Sequence, residues 1–422
     1  MDSKKKKILI LCNDFPPINS IGADRPYSWY KYFHEFNLYP IVITKNWQNN
    51  GNTRFNTIGK ERKIECTDFG CIIRTSKVRT PSLWFQEKFK TKISFVRRGL
   101  SFIEKLLSFY FLRFDQHKGI YKEAYGYLNK NNDVHAIITT GEPFVLFKHG
   151  YRIKKQFGVR WIADYRDGWY LNHGTILNKG ILSRFMRSWE YRIEKKITRD
   201  ASMVVTVDPE MASRLEKLIG KKVEVVYNGF WEYYQRDKYK RESNDKMIIN
   251  HTGTLTIGQQ IELFLDTLID LYRNKHINED NFEFNLIGLE YFPEQMKRLL
   301  PYKEIVDKIV FTTPRLPKNE AVEMNLNADY LVNFTDPNLS AIYAKTYDYI
   351  ACKKPILVVP GDGKLLDNLI TKNKLGTILN TKEDIKALII NKNIKYSPIK
   401  DNTSFFTRKN QTKIIADIIN TL

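Results

Sequence analysis

Lys6-Lys7-Ile8-Leu9-Ile10-Leu11-Cys12-Asn13-Asp14-Phe15-Pro16-Pro17 and, much further on, Met247-Ile248-Ile249-Asn250-His251-Thr252-Gly253-Thr254 decide the fold. Each begins with a short run of aliphatic residues, which reads as a strand buried on both faces, as in a parallel sheet. Each then breaks into turn-forming residues and passes into a helical pattern. Working outward from the first, Ile41–Thr44, Ala136–Thr139, Trp161–Ala163, Met203–Val207 and Val223–Val226 are further strands, spaced to leave room for helices. Phe284–Ile287, Ile309–Phe311, Tyr330–Asn333 and Ile356–Val359 continue the second series. Between the series, Trp231 to Lys246 is polar and short of aliphatics. The expected fold is therefore α/β: two doubly wound, Rossmann-like domains over 1–230 and 247–400, joined by a linker over 231–246. A C-terminal helix over 401–422 is placed against the first domain. Two such domains facing one another would hold a ligand in a cleft at the carboxyl ends of both sheets.

The chain has 422 residues, 42% hydrophobic and 27% charged, which excludes collagen-like, disordered and disulfide-scaffold classes. Basic residues outnumber acidic ones 68 to 47, a net charge of +21 that points to nucleic acid, an anionic membrane surface or phosphorylated substrates as partners. The basic residues are spread along the chain and no recognised nucleic-acid motif appears, which argues against the first. Cys12, Cys66, Cys71 and Cys352 include no CxxC pair, so they are read as unpaired thiols of a reducing cytosol. The apolar run after Lys4 to Lys7 is too short for a secretory leader, and no stretch is apolar enough to span a bilayer. A cytoplasmic protein, peripheral on the cytoplasmic membrane face at most, is expected.

One region interrupts the alternation. Ser82 to Phe114, within an insert at about 80–115, carries Trp84, Phe85, Phe89, Phe95, Phe102, Phe109, Tyr110, Phe111 and Phe114. Lys88, Lys90, Lys92, Arg97, Arg98, Lys105 and Arg113 are interleaved, against Glu87 and Glu104. Such a stretch can lie on an anionic bilayer, each basic residue near the surface adding about 1 kcal/mol. It can equally be a helical insert with aromatics inward and lysines in water.

Four loops hold residues suited to chemistry. Gly22, ahead of a helical pattern, would let backbone approach an anion at a helix N-terminus, or is a plain strand–helix turn. Gly253 and Gly258 have the spacing of a Walker loop, but Gln259-Gln260 stand where Lys-Ser/Thr would be, so an NTPase loop is excluded. Backbone contact with a diphosphate remains open there. Glu142 in Thr140-Gly141-Glu142-Pro143, and Asp164, Arg166 and Asp167 in the next strand-end loop, are charged groups at buried strand ends. Arg166 could hold an anionic acceptor or leaving group, with Asp164 or Asp167 orienting it, or these residues form a structural ion pair. Lys345 and Asp348 share a helix face in Lys345-Thr346-Tyr347-Asp348-Tyr349. A lysine there suits a diphosphate and a carboxylate suits a ribose; a surface ion pair is the alternative.

Taken together, ILILCNDFPPINSIGADR (8–25), ITTGEPF (138–144), WIADYRDGW (161–169), VVYNGF (225–230), HTGTL (251–255) and KTYDYIACKKPIL (345–357) resemble, in order and spacing, a family 4-type glycosyltransferase of the GT-B fold. The resemblance spans nearly the whole chain. It implies transfer of a sugar from a nucleotide diphosphate to an acceptor with retention at the anomeric carbon. Lys345, Arg166 and Glu142 would be catalytic. Gly22, Gly253, Thr254, Leu316, Lys345 and Asp348 would bind the donor, Leu316 through its backbone to the base and Asp348 at the ribose. Asp164, Asp167 and Arg25 would lie on the acceptor side. No metal or cofactor is implied, because no D-x-D site is evident and protein cations would neutralise the diphosphate. The basic, aromatic-rich insert fits a lipid-linked, diphosphate-bearing glycan acceptor at the anionic cytoplasmic membrane face, so polysaccharide or O-antigen-type assembly is expected.

The chain also departs from the family pattern. The first acid of the E-x7-E pattern falls at Ser340, the second is Asp348, and Arg166 stands where many relatives carry histidine. Three other readings stand beside the transferase: a silent sugar-nucleotide binder, a sugar-nucleotide epimerase sharing the two-domain architecture, and a basic nucleic-acid-binding protein.

Overall fold

The computed structural model describes residues 5–18, 20–48, 57–89, 94–170, 180–234, 246–391 and 400–422. Two compact units emerge, one of residues 1–227 with 411–422 and one of residues 228–410.

In the first unit the strands are β1 (Lys6–Leu11), β2 (Leu38–Lys45), β3 (Trp47–Gln48), β4 (Thr57–Ile58), β5 (Lys63–Cys66), β6 (Cys71–Thr75), β7 (Val134–Gly141), β8 (Arg160–Tyr165), β9 (Met203–Thr206) and β10 (Val223–Val225). Apart from the β3–β4 ribbon they form one sheet in the order β10-β9-β8-β7-β1-β2-β6-β5. Only β5 runs antiparallel. The aliphatic run of β1 is explained by what covers it. Ile8 and Ile10 pack on one side with Trp29, Phe33, Ile415 and Ile419. Leu9 packs on the other with Ile120, Leu146 and Ile153. Ile415 and Ile419 belong to the C-terminal helix Arg408–Thr421, whose residues from 411 on complete this core.

The helices flanking this sheet are α1 (Ile21–Tyr32), α2 (Pro81–Phe89), α3 (Ser94–Ser108), α4 (Lys118–Lys130), α5 (Val145–Phe157), α6 (Ile181–Thr198) and α7 (Pro209–Ile219). Ser20 caps α1, its hydroxyl accepting from the Gly22 N–H at 3.1 Å. Asp208 caps α7 in the same way through Met211 at 2.8 Å. Helix α5 lies close on β8 because Gly150 has no side chain; a Cβ there would sit 2.2 Å from the Trp161 indole nitrogen.

The tight β5–β6 hairpin overturns the reading of unpaired cysteines. Cys66 and Cys71 are cross-strand partners and form a disulfide, with their Cα atoms 4.0 Å apart. Strand β6, Cys71-Ile72-Ile73-Arg74-Thr75, is too short an aliphatic run to stand out in the sequence, and without it the pairing is not visible.

In the second unit β11 (Met247–Thr252), β12 (Phe282–Ile287), β13 (Val310–Thr312), β14 (Tyr330–Phe334), β15 (Ile356–Val359) and β16 (Gly376–Ile378) form a wholly parallel sheet ordered β13-β12-β11-β14-β15-β16. Helices α8 (Ile261–Arg273), α9 (Lys318–Asn327) and α10 (Ala344–Cys352) flank it, and Phe264, Leu265 and Leu268 of α8 pack on Ile249, Phe284 and Phe334. Phe230 and Trp231, the last residue of the expected first domain and the first of the expected linker, are buried here. The Phe230 N–H donates to the Phe406 carbonyl at 2.9 Å and the Arg408 N–H to the Phe230 carbonyl at 2.8 Å. Most of the expected linker, residues 235–245, lies outside the described residues.

Candidate functional site

Strand order reverses between β1 and β7 in the first unit and between β11 and β14 in the second. In open α/β sheets the crevice at such a switch point, at the carboxyl ends of the strands, is where ligands bind. The candidate residues fall at these two points, one set in each unit.

In the second unit Gly253, Thr254 and Lys345, expected to bind the donor, come together. Gly253 follows β11 in a left-handed conformation, φ 88°, which favours glycine. The ammonium of Lys345, at the start of α10, lies 2.9 Å from His251 Nε2 and donates to the Thr254 carbonyl at 3.1 Å. His251 is fully buried, and its Nδ1 lies 2.9 Å from the Val332 carbonyl. A carbonyl only accepts, so Nδ1 carries the proton and Nε2 accepts from Lys345. Burial, followed by the Lys345 charge, holds His251 well below the usual imidazole range, so the ring is neutral. Burial also lowers Lys345 to about 7. The result is a desolvated lysine fixed beside the glycine loop, and His251 is a partner the sequence reading missed.

Around this point, a Cβ on Gly288 would approach Gly253 and Arg315 at 4.0 and 3.9 Å, so the loops after β11, β12 and β13 meet there and bring the Leu316 turn with them. Asp348 pairs with Lys318, at 3.6 Å, while Lys345 turns to His251 and the Thr254 carbonyl. Gln259 is structural: its buried side chain accepts from the Thr256 N–H at 2.7 Å and donates to the Phe334 carbonyl at 2.6 Å. Ser340, at the position of the absent acid, is buried and its hydroxyl has no hydrogen-bond partner among the described residues.

In the first unit, a cavity of about 550 Å³ opens at the β1–β7 switch point, walled by loops after β1, β7 and β8 and by α3 and the turn before α4. Glu142 and Arg166 both line it. Arg166 is oriented by the carbonyls of Gly141 and Glu142, at 2.6 and 3.0 Å, rather than by Asp164 or Asp167. Gly22 makes room for that guanidinium: a Cβ there would fall 2.0 Å from its NH1 and 2.7 Å from Asp14 Oδ2. Glu142, exposed at the residue level, is raised by partial desolvation of its carboxyl and by the negative charge of Asp167.

Asp164 and Arg25 do not face the cavity, contrary to their expected acceptor-side placement. They form an ion pair with almost no exposure, Arg25 NH2 lying 2.7 Å from Asp164 Oδ1, and Arg25 NH1 donates to the Val226 and Tyr227 carbonyls at 2.7 and 3.1 Å. With every charged face satisfied internally, this pair ties α1 to β8 and to the end of the unit.

The cavity wall holds a further chain of polar groups. His149 Nε2 lies 2.6 Å from Asp115 Oδ2, Asp115 Oδ1 lies 3.5 Å from His117 Nδ1, and His117 Nε2 lies 2.9 Å from Lys45 Nζ. Burial opposes the Asp115 charge, but hydrogen bonds from His117 and His149 prevail and hold it below the usual carboxylate range. Burial lowers His117 to about 4 and Lys45 to about 8. His117 is therefore neutral and accepts from Lys45. The sequence reading missed this chain; its one signal was a cluster of polar residues, Asp115-Gln116-His117, closing an aromatic-rich insert.

No protein-family model matches the sequence, and no curated protein sequence matches it either. Solved structures do. Trehalose-6-phosphate synthase OtsA superposes with a TM-score of 0.62 at 10% identity, covering 99% of each chain. Sucrose-phosphate synthase from Thermosynechococcus elongatus gives 0.60 at 13% identity, over 99% of this chain and 95% of that one. Anabaena Alr3699/HepE in complex with UDP-glucose gives 0.54 at 11% identity, over 98% and 97%. Likeness over whole chains at such low identity establishes the fold, and the protein has the two-domain, Rossmann-like GT-B fold.

Proposed function

We propose that the protein is a retaining, family 4-type glycosyltransferase that moves a sugar from a nucleotide-diphosphate sugar to a lipid-linked glycan acceptor in cell-surface polysaccharide assembly, at the cytoplasmic face of the membrane. The observation that carries this reading is Lys345, desolvated and fixed by neutral His251 beside the Gly253-Thr254 loop. Cleaving a glycosyl–phosphate bond puts negative charge on the departing diphosphate, and a preorganised cation aimed at it is the strongest available lever. Lys345 supplies that cation, and the backbone N–H of Thr254 adds to it, the Gly253 N–H being bonded to the Ile287 carbonyl at 2.8 Å. Asp348 holds the ribose and the Leu316 backbone meets the base. On the acceptor side Glu142 and Arg166 face the substrate, with Gly22 keeping the approach open.

Membrane association is supported by the insert. Trp84, Ile103, Tyr110 and Phe111 are each more than half exposed, Lys88 lies 4.9 Å from the Trp84 ring and Arg113 is exposed beside Phe111. Phe109 instead packs inward on Trp169, and Lys90 and Lys92 lie outside the described residues. Among the described residues no helix is long and apolar enough to cross a membrane.

Buried, unpartnered Ser340 favours a second reading, a sugar-nucleotide binder without turnover. A turnover assay with UDP-, GDP-, ADP- and dTDP-sugars separates the two. Release of free nucleoside diphosphate supports the transferase; binding without release supports the silent binder.

A further inference from the structure

Resting on the transferase reading, we propose that the cavity of the N-terminal unit receives an uncharged, hydroxyl-bearing sugar of the acceptor and discriminates against a sugar phosphate. Its walls carry five carboxylates, Asp14, Glu104, Asp115, Glu142 and Glu190, against three cations, Lys45, Lys105 and Arg166. Three of the carboxylates are already engaged. Glu104 accepts from the Ser82 N–H at 2.6 Å, the Thr80 hydroxyl at 3.1 Å and the Ser82 hydroxyl. Asp14 accepts from the Ser20 hydroxyl at 2.9 Å and the Asn13 amide at 2.6 Å, and Asp115 is held by its two histidines. The cations are engaged as well: Lys45 with His117, Arg166 with two carbonyls, and Lys105 with Glu190 Oε1 at 2.9 Å.

Two acceptors remain. Glu190, on α6, is only 2% exposed, and its Oε2 has no hydrogen-bond partner among the described residues. A buried carboxylate oxygen left without a donor is costly, and Glu190 is among the residues lining the cavity, so a ligand hydroxyl that reached this oxygen would relieve that cost. Glu142 takes no side-chain hydrogen bond from the described residues and sits exposed at the mouth. Ionised carboxylates only accept. They are therefore matched by O–H groups and mismatched by a phosphate, which would add negative charge where acids already outnumber bases. The wall also carries aromatic rings: Phe144 and Phe109 both stack on Trp169, with ring centroids 5.1 and 5.3 Å away, and half-exposed Phe114 lines the space. At about 550 Å³ the cavity has the size of a small-molecule site, and it sets aromatic rings beside hydrogen-bonding groups.

The test uses the full-length protein with no nucleotide present. Saturation-transfer NMR is run with the methyl glycosides of glucose, galactose, mannose and N-acetylglucosamine, and with the 6-phosphate of each. At least one methyl glycoside is expected to bind at least about tenfold more tightly than its 6-phosphate, a difference of about 1.4 kcal/mol. Glu190→Gln and Glu142→Gln should each weaken the glycoside and narrow that gap, because each removes a repulsive charge. Glu142 is exposed, so its variant keeps the test decisive if Glu190→Gln does not fold. Phosphates that bind as well as glycosides, glycoside binding indifferent to both substitutions, or no glycoside binding at all would each overturn the proposal. Because no donor is added, failure here with nucleotide-sugar binding intact refutes the acceptor assignment alone. Loss of the nucleotide-sugar response refutes the transferase reading instead.

Discussion

Replacing Lys345 with methionine removes the ammonium while keeping an unbranched apolar stem, so the fold is expected to survive with two measurable losses. The first is in stability. His251 Nε2, buried and 2.9 Å from the ammonium, is left without its donor, which costs about 1–3 kcal/mol. The second is in turnover. Losing one preorganised donor aimed at developing charge typically costs about 3–4 kcal/mol, at least roughly a hundredfold in rate. A pH signature separates the two. Burial lowers Lys345 to about 7, so its charged fraction falls as pH rises through that value. Wild-type affinity for the diphosphate should weaken above neutrality, with an apparent midpoint above 7 once a bound anion favours the charged form, and the variant should lack that slope. The assay is release of nucleoside diphosphate from the sugar nucleotide that raises the melting temperature, followed from pH 6 to 9. Near-normal turnover by Lys345→Met, or an unchanged pH slope, would remove Lys345 from its role.

Asp164→Asn leaves Arg25 buried without its counter-charge and should cost about 3–5 kcal/mol in urea unfolding; a loss within error of zero would contradict the buried pairing. Gly22→Ala should leave stability within about 1 kcal/mol, because the groups it displaces are the side-chain ends of Arg166 and Asp14, yet lower transfer at least about tenfold; normal transfer would separate the placement of these two side chains from activity. His117 is held neutral, its pKa lowered by burial from 6.5 to about 4, so the unfolded chain binds the extra proton between those values. Stability from this group is complete above pH 6.5 and declines as pH falls toward 4, by roughly 3 kcal/mol in all. His117→Gln should flatten that limb in denaturation measured across pH, and an identical acid limb would argue against it. Trp84→Ser with Phe111→Ser should reduce co-sedimentation with phosphatidylglycerol vesicles at low salt, while no binding by the parent protein would count against the membrane assignment.

Most of the architecture could be read from the chain because parallel strands covered on both faces carry unbroken aliphatic runs, as Ile8–Leu11 and Ile356–Val359 do. The elements that escaped lack that property. Strand β6 gains its meaning only from its hairpin, and β16 is three half-buried residues. Within the site, Lys345, Gly253 and Thr254 could be picked out because each lies next to a strand or helix boundary. His251 could not, since a histidine inside an apolar strand gives no sign of which face it presents. The pairing of Arg25 with Asp164 spans 139 positions, and the chain from His149 to Lys45 spans 104 through two intermediates. Such contacts are set by sheet order, and local sequence carries no record of them.

The central claim is that the loop after β11 and the start of α10 together hold a nucleotide diphosphate. Hydrogen–deuterium exchange of the full-length protein, with and without a saturating nucleotide sugar chosen by thermal shift, tests it directly. Protection is expected in residues 252–258 and 343–349, with the N-terminal sheet unchanged. A sugar nucleotide that binds yet protects only other segments, or a full panel that leaves both segments exchanging as in the free protein, would contradict it.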